Sequence, residues 1–297
     1  MNYSTPAESH PCIVPTPQPV DITSEPKETV FIESPVVTLK VETSVDNGDP
    51  HRTYVWYRNE LTPDMKFEDA NKISEEMVLN LQDDTLVPGW YYVDINSQLN
   101  RAVKNAKSSH PYRVVNNPIK PSLKLEYCNW TSVKDADEDI KNEFFANTAN
   151  WHDVDEKPDG MASDVAGAVG DRIRLRVNAS LGENPVDIFY PDGKLINNLH
   201  TDGISYKWHI IPVDADSSEN VEGEGILLTP ENISDYSDVD GNNYVVFNCP
   251  IDANYLDVIC RVNNQQITSY YCEVTNTLDT KSETFKLADY KHIFNIW

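Results

Sequence analysis

Few side chains in this sequence stand in spacings that could do chemistry. Seven histidines, at 10, 51, 110, 152, 200, 209 and 292, are scattered without an HxH or HExxH pair, so no element presents two imidazoles to one zinc ion. A GxSxG turn, which would raise a serine nucleophile, is absent. Gly167-Ala168-Val169-Gly170 lacks the Lys-Ser/Thr that completes a phosphate-cradling loop. Carboxylates number 48, but glycoside hydrolysis needs two of them at a set separation across a cleft, and abundance supplies no such pair. The run Asp235-Tyr236-Ser237-Asp238-Val239-Asp240-Gly241-Asn242-Asn243 alternates oxygen-bearing side chains around a glycine, with Asp238 and Asp240 as calcium candidates. Where a calcium loop carries its bidentate Glu, this run passes into Tyr244-Val245. A hairpin turn on Asp240-Gly241 is the simpler reading. The expectation is therefore a chain without catalytic, cofactor-binding or metal residues, and not an enzyme.

Charge narrows the partners. Lys and Arg total 24 against 48 Asp and Glu, a formal charge of −24 over 297 residues. Phosphate backbones and anionic lipid surfaces need clustered cations, so nucleic acid and membrane are not expected partners. An apolar fraction of 39% with 10% aromatics is enough to build cores, and the length suits two domains with additions. The first 30 residues lack both a basic stretch and an apolar run, so a secretory signal is not expected. Cys12, Cys128, Cys249, Cys260 and Cys272 are odd in number and show no CxxC spacing. Free thiols in a reducing cytosol are the expectation, and the four Asn-x-Ser/Thr sequons are read as chance matches.

The elements that would position any site read as strands. Val37, Leu39 and Val41 alternate with Thr38, Lys40 and Glu42, a period of two that predicts a half-buried strand. Further strands are predicted at Thr53–Tyr57, Met77–Leu81, Trp90–Asn96 and Tyr112–Val115, separated by turn signals such as Asp46-Asn47-Gly48. A similar order follows later: Ile173, Leu175 and Val177 on one face of a strand with arginines on the other, then Ser205–His209, Tyr244–Asn248, Val258–Asn263 and Tyr271–Val274. Matched in that order to the first set, they predict an internal repeat in two copies. Alternation predicts that one tyrosine of each pair, Tyr91/Tyr92 and Tyr270/Tyr271, is buried and the other faces out, where a row of them could bind sugars or a partner. His209 follows Trp208 and is predicted on the outer face.

Seven prolines within residues 1–35 predict an extended, polyproline-like arm without a core of its own. The predicted organisation is an extended Pro-rich arm at 1–34, a first domain at 35–117, a strand plus an irregular acidic inter-domain segment at 118–170, and a second domain at 171–297. Leu123–Tyr127 is either the first strand of the second domain or the last of the first, and a short helix is predicted within 139–146. Tyr290–Trp297 is apolar for a chain end, so packing on the sandwich or on a neighbouring subunit is expected.

The arrangement resembles the immunoglobulin-like fold: a strand of central aliphatics, a strand with an inward tryptophan (Trp56, Trp208), then a strand in the pattern Val93-Asp94-Ile95-Asn96 or Cys260-Arg261-Val262-Asn263. The resemblance covers roughly 35–117 and 120–288 and implies an all-β protein of two β-sandwiches with the N-terminal arm. The family's inter-sheet disulfide would pair positions near Leu39 with Val93 and near Leu175 with Cys260. Only Cys260 is a cysteine, so neither bridge is expected. Disulfide-free repeats of this kind in an acidic chain resemble the accessory domains of tailed-bacteriophage virions, on capsid decoration proteins, head fibres and tail components. That resemblance implies a non-catalytic structural protein of the virion, assembled in the host cytoplasm, with a capsid decoration or head-fibre role first. A tail or baseplate protein and a host-surface or glycan-binding adhesin are the alternatives. The implied partners are other virion proteins, the major capsid protein foremost, held through residues 1–34 and through Ile293, Phe294, Ile296 and Trp297.

Overall fold

The computed structural model describes residues 20–44, 52–60, 62–99, 102–154, 163–165, 167–181, 199–211, 225–233, 244–260, 268–286 and 294–296. They fall into two compact units that change over between Asn117 and Pro118. Both units are immunoglobulin-like sandwiches of an all-β protein, and among the described residues the exceptions to β structure are one nine-residue helix and short 3-10 turns.

The first unit begins inside the segment expected to be an arm. Strand β1 (Ile22–Ser24) pairs antiparallel with β4 (Glu42–Thr43), which continues β3 (Val36–Lys40). Strand β2 (Thr29–Phe31) then runs parallel to β10 (Tyr112–Val115) in the opposite sheet. Residues 20–34 are thus extended, but they are edge strands of the first sandwich and not a free arm. Val20 and Thr29 are buried, and Ile22, Val30 and Ile32 pack on the core. Proline density outweighed this short apolar alternation in the sequence. Pro26 and Pro35 flank β2, and a residue without an N–H suits an edge strand that changes sheets. Residues 1–19 lie outside the described residues.

The main sheet of this unit has the order β2-β10-β8-β5-β6, with β9 added to β8. Its strands are β5 (Thr53–Asn59), β6 (Lys72–Ser74), β8 (Gly89–Leu99) and β9 (Ala102–Lys107). Strand β7 (Val78–Gln82) pairs with β3, placing Leu39 opposite Leu79 and Val37 opposite Leu81. These four residues point inward and meet Trp56, Tyr91, Val93, Ile95 and Tyr112 from the main sheet, while Thr38 and Asn80 hydrogen-bond on the outside. The period-two pattern predicted for β3 is therefore the burial pattern observed.

In the second unit, β11 (Ser122–Asn129) pairs along its whole length with β14 (Arg172–Ser180), so 118–127 opens the second sandwich. One sheet has the order β12-β11-β14-β18-β17, built with β12 (His152–Asp153), β17 (Tyr244–Asn248) and β18 (Tyr255–Cys260). The other has the order β13-β21-β19-β15-β16, with β20 (Lys281–Phe285) added to β19. Its strands are β13 (Ser163–Val165), β15 (Gly203–Ile211), β16 (Ile226–Leu227), β19 (Thr268–Leu278) and β21 (Phe294–Ile296). The parallel pairing of β13 with β21 repeats that of β2 with β10. Helix α1 (Glu138–Ala146) follows β11, within the segment predicted to be irregular and close to the helix expected at 139–146.

The repeat exists, but its second half is shifted by one strand from the sequence alignment. Strand β18 pairs with β14 and is the counterpart of β7, which pairs with β3. The counterpart of β8 is β19, because both pair with the tryptophan strand: Trp56 lies opposite Val93 and Trp208 opposite Cys272. Val258–Asn263 was thus matched to the wrong strand, and the position facing the family's disulfide is Cys272, not Cys260. Tyr270-Tyr271-Cys272-Glu273-Val274 carries the same pattern as Tyr91-Tyr92-Val93-Asp94-Ile95. The decoy Val258–Asn263 has the same alternation, and alternation alone cannot rank two neighbouring strands.

Candidate functional site

The structure redistributes the residues singled out in the sequence. Phe294 is fully buried, 5.8 Å from the Trp208 ring, and belongs to the second core. The Ile296 backbone is registered between Thr268 and Val165. Phe294 therefore closes its own sandwich and is not available as an anchor for a neighbour; Ile293 and Trp297 lie outside the described residues. So do Asp238 and Asp240. Among the described residues no group of three His, Cys, Asp or Glu side chains is placed to hold a metal ion, and no helix is long and apolar enough to cross a membrane.

The expected outward tyrosine row is overturned. Tyr91, Tyr92, Tyr270 and Tyr271 are all buried. Alternation does send Tyr92 and Tyr271 to the outer face, but neighbours cover them there. Tyr92 stacks on Tyr57 at 5.6 Å and meets the edge of Phe67 at 5.1 Å, and its hydroxyl donates to the Lys66 carbonyl at 2.7 Å. Tyr271 stacks on His209 at 4.5 Å, which also accounts for the outward histidine. Gly225, at φ +51°, approaches so closely that a Cβ there would stand 3.0 Å from the Ile210 carbonyl and 3.1 Å from the Tyr271 ring. Tyr91, two residues before Val93, instead donates its hydroxyl to the Val87 carbonyl at 2.6 Å, the tyrosine corner of immunoglobulin-like sandwiches.

A serine, a histidine and a glutamate do meet in the first unit. The Glu25 carboxylate accepts from the Ser109 amide at 2.9 Å, from the Ser109 hydroxyl and from the Tyr112 hydroxyl at 2.9 Å, and lies 3.6 Å from His110 Nδ1. His110 reaches the Ser109 hydroxyl through Nδ1 at 2.8 Å. A catalytic triad needs the carboxylate behind the imidazole and the hydroxyl at its far nitrogen. Here the hydroxyl and the carboxylate lie on the same side of the ring. The group is a clamp, tying the crossing between β1 and β2 to the start of β10. Burial opposes the charge on Glu25, yet the Ser109 and Tyr112 hydrogen bonds and His110 hold its carboxyl below the usual glutamate range.

The most concentrated side-chain chemistry lies on the outer face of β14. The strand buries Ile173, Leu175 and Val177 and turns Arg172, Arg174 and Arg176 outward, as its alternation predicts. Arg174 grips Asp257 through two bonds, Nε to Oδ1 at 2.7 Å and Nη2 to Oδ2 at 2.8 Å, and Asn248 adds a third donor at 2.8 Å. Asp257 is 1% exposed, and these donors take the place of water around its carboxylate oxygens. The guanidinium is also stacked between Phe145 of α1 at 3.7 Å and Tyr255 at 3.9 Å. Arg176 lies over Trp151 at 3.4 Å and binds Glu126, which also receives Lys124 at 2.8 Å and Asn178. Burial raises the Glu126 carboxyl, but these donors overcome it and leave it lowered. Arg172 lies 4.8 Å from Phe247 and 5.5 Å from Trp130. Each such contact contributes about 0.5–2 kcal/mol, and the ladder seats α1 and the loop to Trp151 on the sheet. The aromatics come from five separate segments, so no local spacing in the sequence announces the ladder.

Between α1 and this face lies a cleft of about 430 Å³, lined by Trp130, Lys134, Lys141, Phe145, Arg172 and Phe247 among others. A second, more apolar cleft of about 270 Å³ lies between Trp208, Leu228 and Cys249.

No protein-family model matches the chain, and no curated protein matches it in sequence. Solved structures similar to it include the N-terminal four Ig domains of Dscam1 isoform 4.44, at 10% identity and TM-score 0.21, covering 94% of this chain and 53% of that one. Dpr2 Ig1-Ig2 in complex with DIP-Theta Ig1-Ig3 is similar at 10% identity and TM-score 0.20, covering 94% of this chain and 99% of that one. The chain spans about half the length of the Dscam1 fragment it matches. The fold itself is established by strand order, parallel edge pairing and tryptophan register within the chain.

Proposed function

We propose that this protein is a non-catalytic structural component of a bacteriophage virion, a capsid decoration or head-fibre protein, that docks through the residues preceding its first sandwich. The supporting observation is the bridge-free closure of both cores. Val93 stands opposite Trp56, and Cys272, which is in no disulfide, stands opposite Trp208. Sandwiches closed by packing alone form in the reducing compartment where particles are assembled. A charge of −24 keeps a component made in many copies soluble before assembly.

Docking now falls on a shorter segment than the sequence suggested, because residues 20–34 are spent within the first sandwich. Residues 1–19, with prolines at 6, 11, 15, 17 and 19, are long enough to add a strand to, or thread a groove on, a neighbouring subunit. The chain lacking residues 1–19 should fold with unchanged far-UV circular dichroism and fail to sediment with particles that carry the full chain. Truncated protein that still sediments with particles would refute docking by this segment. A full-length chain found on no particle would refute the virion reading itself.

A further inference from the structure

The cleft between α1 and the outer face of β14 holds more donors than acceptors. Arg174 is neutralised by Asp257 and Lys141 is paired with Glu138 at 2.9 Å. Arg172 is different: among the described residues its guanidinium faces the rings of Phe247 and Trp130 and forms no ion pair. Lys134, on the same rim, also has no ion pair among the described residues. Trp130 is 5% exposed, and its indole N–H finds no acceptor. In a chain of net charge −24, Arg172 and Lys134 thus bring two cations without carboxylate partners among the described residues into one cleft.

We propose that this cleft binds a carboxylate-bearing sugar. The carboxylate offers only acceptors and fits the edge of a guanidinium through two parallel bonds. Arg172 lies over Phe247 and Arg174 over Phe145, so what these two rings add to the cleft is apolar lining beside the guanidinium, against which the C–H side of a pyranose ring can rest, and Lys134 lines the same cleft for a second oxygen. The volume of about 430 Å³ lies within the range of small-ligand clefts, about 300–1,000 Å³. A neutral sugar would leave the Arg172 donors unmatched, and a bare inorganic anion would fill little of the cleft and leave its apolar lining without a partner. This inference rests on the second sandwich alone and does not depend on the virion reading.

The test compares methyl glucuronide with methyl glucoside, which differ at one carbon in carboxylate against hydroxymethyl. Saturation-transfer NMR on the full chain should show saturable binding of the glucuronide, with the glucoside at least about tenfold weaker and inorganic phosphate, read by its displacement of the glucuronide signal, weaker by the same margin. Arg172→Gln should weaken glucuronide binding about tenfold, and Lys134→Gln, on the exposed rim, about threefold with an unchanged melting temperature. Should Arg172→Gln fail to fold, the Lys134 variant carries the test. Equal binding of glucuronide and glucoside, phosphate binding as tightly as glucuronide, absence of binding, or indifference to Lys134→Gln would each overturn the proposal.

Discussion

The indole N–H of Trp208 donates to the backbone carbonyl of Ala253 at 3.0 Å. Trp56 makes the same bond, at the same length, to Glu76. Ala253 and Glu76 each stand two residues before the strand that pairs with the aliphatic strand of their sandwich, β18 and β7. The bond fixes the depth of the tryptophan and the start of the facing strand together, so it marks the repeat more sharply than any sequence match.

Trp208→Phe removes the donor, leaves the Ala253 carbonyl unsatisfied and opens a void beside Phe294. Cavity formation and the orphaned acceptor together should cost about 2–4 kcal/mol. Trp56→Phe should cost the same within about 1 kcal/mol, since the two sites are built alike. Urea denaturation followed by circular dichroism measures both. A cost below about 1 kcal/mol at either site would show that the shared bond does not organise the core.

Much of the fold was legible because half-buried strands write their burial as alternation. Ile173, Leu175 and Val177 were assigned inward, and the arginines between them outward, from spacing alone. What the sequence hid was pairing. Val258–Asn263 and Tyr270–Val274 alternate equally well in sequence, and only pairing tells the two strands apart: Tyr255–Ile259 lies against Arg172–Arg176, and Tyr270–Val274 against Tyr206–Ile210. Residues 20–34 were hidden for a different reason: a parallel edge strand held by a few hydrogen bonds needs little apolar sequence, and prolines at its ends mimic a linker. Alternation predicts that one tyrosine of each pair turns outward without saying which; Tyr92 and Tyr271 do, yet they are covered by Phe67 and His209, and no rule of periodicity foretells a cover supplied from a distant loop or a neighbouring strand.

The corrected register carries a prediction for the thiols. Cys272 holds the position that Val93 fills in the first sandwich. It is fully buried, and burial raises its thiol far above the ordinary range. Cys272→Val should therefore fold with a stability change below about 1.5 kcal/mol, as volume-conserving core swaps do. Burial likewise pushes Cys249 up to about 11 and Cys128 up to about 12. In native protein at pH 8 all three should resist iodoacetamide, and all three should react in urea, as read by mass spectrometry of their peptides. Rapid native labelling of Cys272, or a loss above about 3 kcal/mol in the valine variant, would contradict the assigned position.

The Glu25 clamp makes the first sandwich sensitive to acid. The folded carboxyl titrates below its unfolded value because Ser109 and Tyr112 donate to the charged form and His110 lies 3.6 Å away. A group depressed on folding contributes stability that is fully present above its unfolded pKa, about 4.3, and that is lost as pH falls toward the folded value. Glu25→Gln keeps the size and one acceptor but removes the charge that the three donors share, and should cost about 1–2 kcal/mol at pH 7. Other carboxylates, Glu126 among them, also titrate on acidification, but they are common to both proteins and cancel in the difference. The wild-type advantage over Glu25→Gln in urea midpoint should hold from pH 7 to about pH 5 and shrink steadily below about pH 4. An advantage that grows on acidification, or one that is flat from pH 7 to pH 2, would mean that the carboxylate charge does not hold β2 against β10.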